Sequence, residues 1–575
     1  MGLNNIPESP PCTYDWNQPM LCVETAVNQS AIEQWDGSDA KILKLFQLIP
    51  DGSPRLHYQA KELEVICPPA KLEELREDGI TGRSSEIIAW LDDRSQARDS
   101  TRRRKLSGWL TRSDLYKALR AKRIYAHNAN GVDEGHEPNA ERRVIYLPNP
   151  DWRGLSPIIL TASRQEAGIL SIFLWKYMIA RCSIQASVST ARHFSLEFHL
   201  PYFVWKDTKS VLRDKRIRSD KFPLRKSRLL SFLERSRPTS EEGGNLDCLH
   251  ESQWSCVVTG FNNTVWSVYG FTDTYFYDTE DDFDRVSVNY YQRCLQDEEE
   301  MEYDPIIGSD ASLPIQDPRE YFVATLLSCM NHILEEWNNI ITRLERKMCY
   351  YIDDEDFFFD DDKLPFGPDE DHSKSLQDSY GWTQQVTCLL THLRKRIRNL
   401  NKAWESFRAR DTYSFDVTDQ QSDKPNRTRI LLCSIDTIVT ELNALEVQLG
   451  DLWDKNEDFR KSLELYLQVE NNRTIPLQQF NISFIQIISP PALAATMMQS
   501  RVLPWTSGFL PWLIVTAILW ILMAAVRPAL TWYHRYMGSK PRASLVPPLA
   551  QEPMMNGFHW QPEGLRLPQP TFAGH

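Results

Sequence analysis

The sequence lacks a cysteine pattern: its 11 cysteines are scattered, and no two stand as Cys-x-x-Cys. Zinc ribbons and disulfide-framed secreted scaffolds both need such regular spacing, so both are excluded, and reduced cytosolic thiols fit better. Also missing are Gly-x-Ser-x-Gly, His-Glu-x-x-His and any glycine loop spaced to cradle phosphate. The expectation is therefore that the chain is not an enzyme. An excess of basic charge is absent too. The formal net charge is -13, whereas binding to nucleic acid needs a basic footprint, so nucleic acid is not an expected partner. Residues 1–19 are polar and contain no apolar run, so no secretory leader is expected. The Asn-x-Ser/Thr sequons at Asn28, Asn262, Asn426, Asn472 and Asn481 then read as chance matches.

The most informative absence is of charge near the C-terminus. Between residues 474 and 526 the only charged side chain is Arg501. A membrane-spanning helix needs about 20 apolar residues, so this stretch is long enough for two. The second, residues 505–526, is almost wholly apolar. The first, residues 480–500, is diluted by Asn481, Ser483, Gln486, Ser489 and the Pro490-Pro491 pair. Such groups are tolerated at membrane depth where they face protein or water. One lipid-facing helix and one helix that lines something is the expectation, with a single span and a buried core helix as the alternative. Arg527, His534, Arg535, Lys540 and Arg542 follow the second span, so both termini are expected on the cytoplasmic side of a multi-pass protein. Trp505, Trp532, Tyr533 and Tyr536 stand where an interfacial aromatic belt would lie.

Before that stretch the chain changes character several times. Residues 1–141 read as a partly disordered extension, with short strands at 42–49 and 62–67, a helix at 71–78, and a basic run at 97–105 that reads as a solvated loop. Residues 142–316 read as an α/β cytoplasmic domain. Its clearest strand is 193–200, where Phe194, Leu196, Phe198 and Leu200 alternate with His193, Ser195, Glu197 and His199. The second set could make a metal-binding face, and the commoner alternative is a face that is solvent-exposed or packed under a helix. Residues 206–228 read as a mobile basic insertion and 236–245 as a linker. Strands at 255–261 and 264–269 join through Asn262-Asn263, a turn expected to use positive φ.

Residues 317–473 read as a helical stalk. Asp317-Pro-Arg-Glu320 is a start signal, with Asp as the cap, Pro at the first position and Glu bonding back. Helices are expected to residue 350, over 382–408, and over 429–470. The last carries Leu431, Ile435, Ile438, Leu442, Leu445, Leu449 and Leu452 at heptad spacing, resuming at Phe459, Leu463 and Tyr466. Such a stripe packs along its length against partner helices, over roughly 60 Å. The acidic connector 353–371, with Asp360, Asp361 and Asp362 at its centre, is expected either to draw divalent cations or to be a solvated loop. Residues 537–575 read as a disordered cytoplasmic tail.

The resulting fold class is an α/β cytoplasmic domain, a long helical stalk and a C-terminal two-helix transmembrane hairpin. This layout resembles the CorA family of divalent-cation channels, in particular its divergent fungal members. Three phrases carry the resemblance: Arg192-His-Phe-Ser-Leu-Glu-Phe-His-Leu-Pro-Tyr202, Gly270-Phe-Thr-Asp-Thr274, and Asp317-Pro-Arg-Glu-Tyr-Phe322. The resemblance implies a homopentamer in membrane lipid, in which the first span lines a pore and a Gly-Met-Asn tripeptide at its end selects hydrated magnesium. The transported divalent cation is then cargo, and no bound cofactor is implied. Met497-Met498-Gln499 stands at the matching place. Gln499 keeps a side-chain amide, but Met497 replaces the glycine that allows a close turn, so magnesium selectivity is weakened. On the same span Gln479, Ser483, Gln486, Pro490, Leu493 and Met497 recur at helical spacing. Together with Met498 and Gln499 this face is the expected pore lining. The competing expectation is a membrane-anchored scaffold or signalling protein that kept the layout without transport.

Overall fold

The computed structural model describes residues 14–17, 45, 55–78, 86–95, 102–125, 137–189, 193–233, 246–277, 303–356, 370–415, 427–499, 510 and 512–521. Two units emerge, Met1–Glu464 and Leu465–His575.

The first unit is built on one eight-stranded sheet in the order β2-β1-β3-β8-β7-β5-β4, with β6 paired to β7. The strands are β1 (Ile87–Arg94), β2 (Gly108–Thr111), β3 (Arg142–Pro148), β4 (Ser183–Ser189), β5 (His193–Thr208), β6 (Ser227–Leu229), β7 (Leu246–Gly260) and β8 (Trp266–Thr272). All pairings are antiparallel except β3 with β8, which run parallel from Arg142 opposite Trp266 to Pro148 opposite Thr272. In β5, Pro201 falls beyond the end of β4, whose pairing stops at Ser183 opposite His199. A residue without an N–H is tolerated there, because one neighbour is already gone.

Period-two alternation assigns each face of the sheet its helices. On one face lie α1 (Arg55–Ile66), α2 (Pro69–Asp78), α3 (Arg112–Arg120), α4 (Trp152–Thr161) and α5 (Arg164–Met178). Their core joins Leu155, Ile159, Leu170, Phe173 and Tyr177 to Ile145, Leu147, Tyr269 and Phe271 of the sheet. Ser163 and Glu166 close a capping box at the start of α5. On the other face lies α6 (Pro318–Asp356), where Phe322 meets Phe198 and Tyr321 meets Trp266 at ring-centroid separations of 5.8 and 5.5 Å.

Helices α6, α7 (Glu370–Arg410) and α8 (Arg427–Gln499) complete the elements discussed below. Asp317 caps α6 as expected, accepting from the N–H groups of Arg319 and Glu320. The Glu320 carboxylate meets Arg427 at 3.0 Å. Of the stripe on α8, Ile435, Ile438, Leu442, Leu445, Leu449, Leu452, Phe459 and Leu463 are buried. The gap in the heptads is filled by Asn456, fully buried and donating to the Thr383 carbonyl and the Thr387 hydroxyl of α7. Asn401–Asn443 and Trp404–Asp436 hydrogen bonds add to the α7–α8 seam. Within unit 1 the stripe is therefore occupied by a helix of the same chain.

Several expectations are corrected. Residues 62–66 belong to a helix, α1, and not to a strand, because Ala60, Leu63 and Ile66 recur at helical spacing and are buried, as is Cys67 just past its end. Of residues 42–49 only Leu45 is described, and it is helical. The sheet takes in β1 and β2, which lie within the expected N-terminal extension of residues 1–141. In the basic run, Arg104 is no solvated residue: it is buried and donates to the carbonyls of Pro138, Lys122 and Arg123. The 206–228 segment is folded onto the domain through buried Asp214, Arg216 and Arg225. The β7–β8 loop uses no positive φ at Asn262 or Asn263. Its turn is made by the Asn262 side chain, which accepts from the N–H groups of Thr264 and Val265. The 236–245 linker and the 537–575 tail lie outside the described residues.

Candidate functional site

The expected pore residues Gln479, Ser483, Gln486, Leu493, Met497, Met498 and Gln499 all fall within α8, which runs without interruption through Pro476, Pro490 and Pro491. Leu493 is exposed and its neighbour Ala494 is buried. The side chains of Gln479, Ser483, Gln486, Met497, Met498 and Gln499, and the whole of Asp360, Asp361 and Asp362, lie outside the described residues. Within the second expected span, residues 512–521 are helical. No helix among the described residues is long and apolar enough to cross a membrane.

The histidine face of β5 is a packed face, and the metal reading of it is corrected. His193, Glu197 and His199 are buried. Glu197 is bound by Lys176 and Gln185. His199 Nδ1 lies 2.9 Å from the Ser255 hydroxyl, and His193 Nε2 lies 3.0 Å from that of Thr259. Burial pushes His193 down to about 4 and His199 well below its usual value, so both rings are neutral. Among the described residues no group of three His, Cys, Asp or Glu side chains is placed to hold a metal ion.

A concave site among the described residues of unit 1 lies elsewhere, outside the carboxyl ends of β3 and β8. After β3 the chain turns through Asn149, which has φ 47°, and Asp151 caps α4 by accepting from the N–H groups of Arg153 and Gly154. Gly154 lets α4 approach closely, since a Cβ there would stand 2.9 Å from Leu147 Cδ2 and would push that side chain aside. Asn149 bridges to the exit of β8, donating to the Thr274 hydroxyl and accepting from its N–H. The cleft between these exits measures about 520 Å³ and is lined by Ile66, Glu86, Ile88, Leu147, Trp152 and the extended segment 213–217, among others.

Below it sits a buried four-charge network. Asp273 is fully buried and accepts from Tyr177, from Arg216 at 2.7 Å and from Arg225 at 2.6 Å. Arg216 also grips Asp214 through two bonds of 2.8 and 2.7 Å. Arg225 donates to the Tyr177 carbonyl and to Gln253. Burial works against the Asp273 carboxylate, but Arg225 and Arg216 outweigh it and hold the group below the usual carboxylate range. Burial pushes the Tyr177 phenol up. Two acids and two arginines leave the network neutral, so it holds loop, helix and strand together without a net buried charge. The sequence phrase Gly270–Thr274 contains Asp273, but nothing local shows that its partners come from residues 177, 216 and 225.

No protein-family model matches the sequence, and no curated protein matches it. Solved structures it aligns with include the full-length CmaX protein, at 11% identity over 78% of this chain and 99% of that one, with a TM-score of 0.27. Another is the cytoplasmic domain of ZntB from Vibrio parahaemolyticus, at 8% identity over 57% of this chain and 93% of that one, with a TM-score of 0.25. Scores of this size do not establish a shared family.

Proposed function

We propose that this chain is an integral membrane protein of the CorA-like type, a divalent-cation channel or transporter whose first span lines the pathway. The observation that carries the reading is the surface of residues 512–521. This helical stretch exposes Leu513, Ile514, Ile518, Trp520 and Ile521, the last at 69%. So many large apolar side chains on one short helix call for lipid or another apolar partner. The unbroken course of α8 adds support, since one helix carries the packed stripe of unit 1 into the segment proposed as the first span. On this reading the lining is Gln479, Ser483, Gln486, Leu493, Met497, Met498 and Gln499, several copies surround the pathway (a homopentamer on the resemblance), and a magnesium-like ion is the cargo. The absence of a glycine at Met497 favours a second reading, a membrane-anchored scaffold without transport.

Flux of Mg²⁺ into liposomes holding the purified protein decides between them. Transport predicts saturable uptake that falls in Gln499→Ala and Gln486→Leu and is unchanged in Trp520→Phe. No uptake above empty liposomes would leave the scaffold reading. Equal uptake in all three variants would mean that this face lines no pathway.

A further inference from the structure

The parallel neighbours β3 and β8 send the chain to opposite faces of the sheet: α4 and α5 follow β3 on one side, and α6 follows β8 on the other. Connections that diverge in this way leave a crevice outside the carboxyl ends of the strands, where α/β folds take ligands. The cleft of about 520 Å³ occupies that place, and its volume is in the range of small-molecule sites.

The two walls differ in chemistry. One is apolar, with Ile66, Ile88 and Leu147, and Ile217 at the end of the facing segment extends it. The other is cationic and comes from the extended segment 213–217, in which burial alternates: Asp214 and Arg216 enter the buried network, while Arg213, Lys215 and Ile217 are exposed. The acids of the lining are engaged. Glu86 meets Arg153 at 2.5 Å, Asp214 is held by Arg216, and Asp151 caps α4. Arg213 makes no ion pair among the described residues. We infer that this cleft binds a small phosphate monoester of mononucleotide size, the phosphate at Arg213 and Lys215 and the ring or apolar body against Ile66, Ile88, Leu147 and Ile217. A phosphate fits better than a carboxylate because it carries about -1.5 to -2 charges and three acceptor oxygens, enough for two cations. Asp151 already occupies the backbone donors of α4, so side chains at the mouth hold the anion. Binding is therefore sensitive to salt, with a screening length of about 10 Å at 0.1 M. The inference stands whether or not the chain transports ions.

The test is calorimetric titration of the detergent-purified full chain with AMP, adenosine and inorganic phosphate. AMP is expected to bind saturably, and adenosine and phosphate each about tenfold or more weaker, since each lacks one half of the recognition. Arg213→Glu with Lys215→Glu should weaken AMP by about tenfold or more. Lys226→Glu, an exposed charge outside the cleft, should bind as the native chain does, and melting curves of each variant establish that it is folded. Failure of AMP to bind saturably overturns the inference. So does unchanged affinity in the folded double variant, or phosphate alone binding as tightly as AMP, which would leave the apolar wall without a part.

Discussion

At Asp273 one carboxylate holds two buried guanidinium groups and a buried phenol, so its removal is felt by three segments at once. Asp273→Asn takes the carboxylate partner from the buried Arg225 guanidinium and leaves Arg216 with Asp214, and breaking a buried pair from one side costs about 3–5 kcal/mol. Tyr177→Phe removes a donor to Asp273 and an acceptor from Arg216 but leaves every charge paired, and should cost about 2 kcal/mol. Urea denaturation of the two variants checks the ranking, and equal midpoints would contradict it. The histidines give a separate pH signature. Burial pushes His193 and His250 down to about 4, below the unfolded value of about 6.5. A depressed histidine contributes stability that is complete above the unfolded value and is lost as pH falls through the folded one. Unit 1 should therefore lose stability between about pH 6.5 and 4, by up to roughly 3 kcal/mol per histidine. Replacing both with Gln should make that limb of the curve shallower but not flat, because burial depresses His199 and His332 as well. The Asp273 carboxylate adds its own loss only at lower pH, because its value is held below the usual carboxylate range.

Among the elements, α8 was the most legible in sequence, because its pattern is local: apolar residues at heptad spacing meet one partner wherever that partner comes from. What the pattern could not show was Asn456, a polar residue on the same stripe whose partners lie on α7. Leu449→Ala should cost about 2–5 kcal/mol, since Leu449 is fully buried. Val447→Ala, two residues earlier and 63% exposed, should stay within about 0.5 kcal/mol. Thermal melts of the pair check that the stripe is buried and its flank is not. Strand β1 was hidden for the opposite reason. Its polar end, Asp92-Asp93-Arg94, looks like a loop until Arg142 and Arg143 are placed opposite on β3. The same holds for the cleft. The neighbours of Asp151 at 213–217 and 274 are set by topology alone.

For the whole chain, the question is whether the charge-poor stretch lies in a bilayer. The sheet, its two cores and the α7–α8 seam all belong to residues 1–464, and the long apolar run lies entirely beyond them. The part that folds around the sheet should then be separable from the part that needs lipid. A fragment of residues 1–464 is expected to stay in the aqueous fraction and keep the helix and strand content of unit 1, because the stripe of α8 is covered by α7 as far as Leu463. The full chain is expected to remain with membranes through alkaline extraction. On the proposed two-span hairpin, tags at residues 20 and 560 should be protected or cleaved together, since a hairpin returns to the side it left. Tags reporting opposite sides would reduce the hairpin to one span. A full chain released by alkali would remove the bilayer from the proposal altogether, while the cleft between β3 and β8 would still have to bind AMP or not on its own terms.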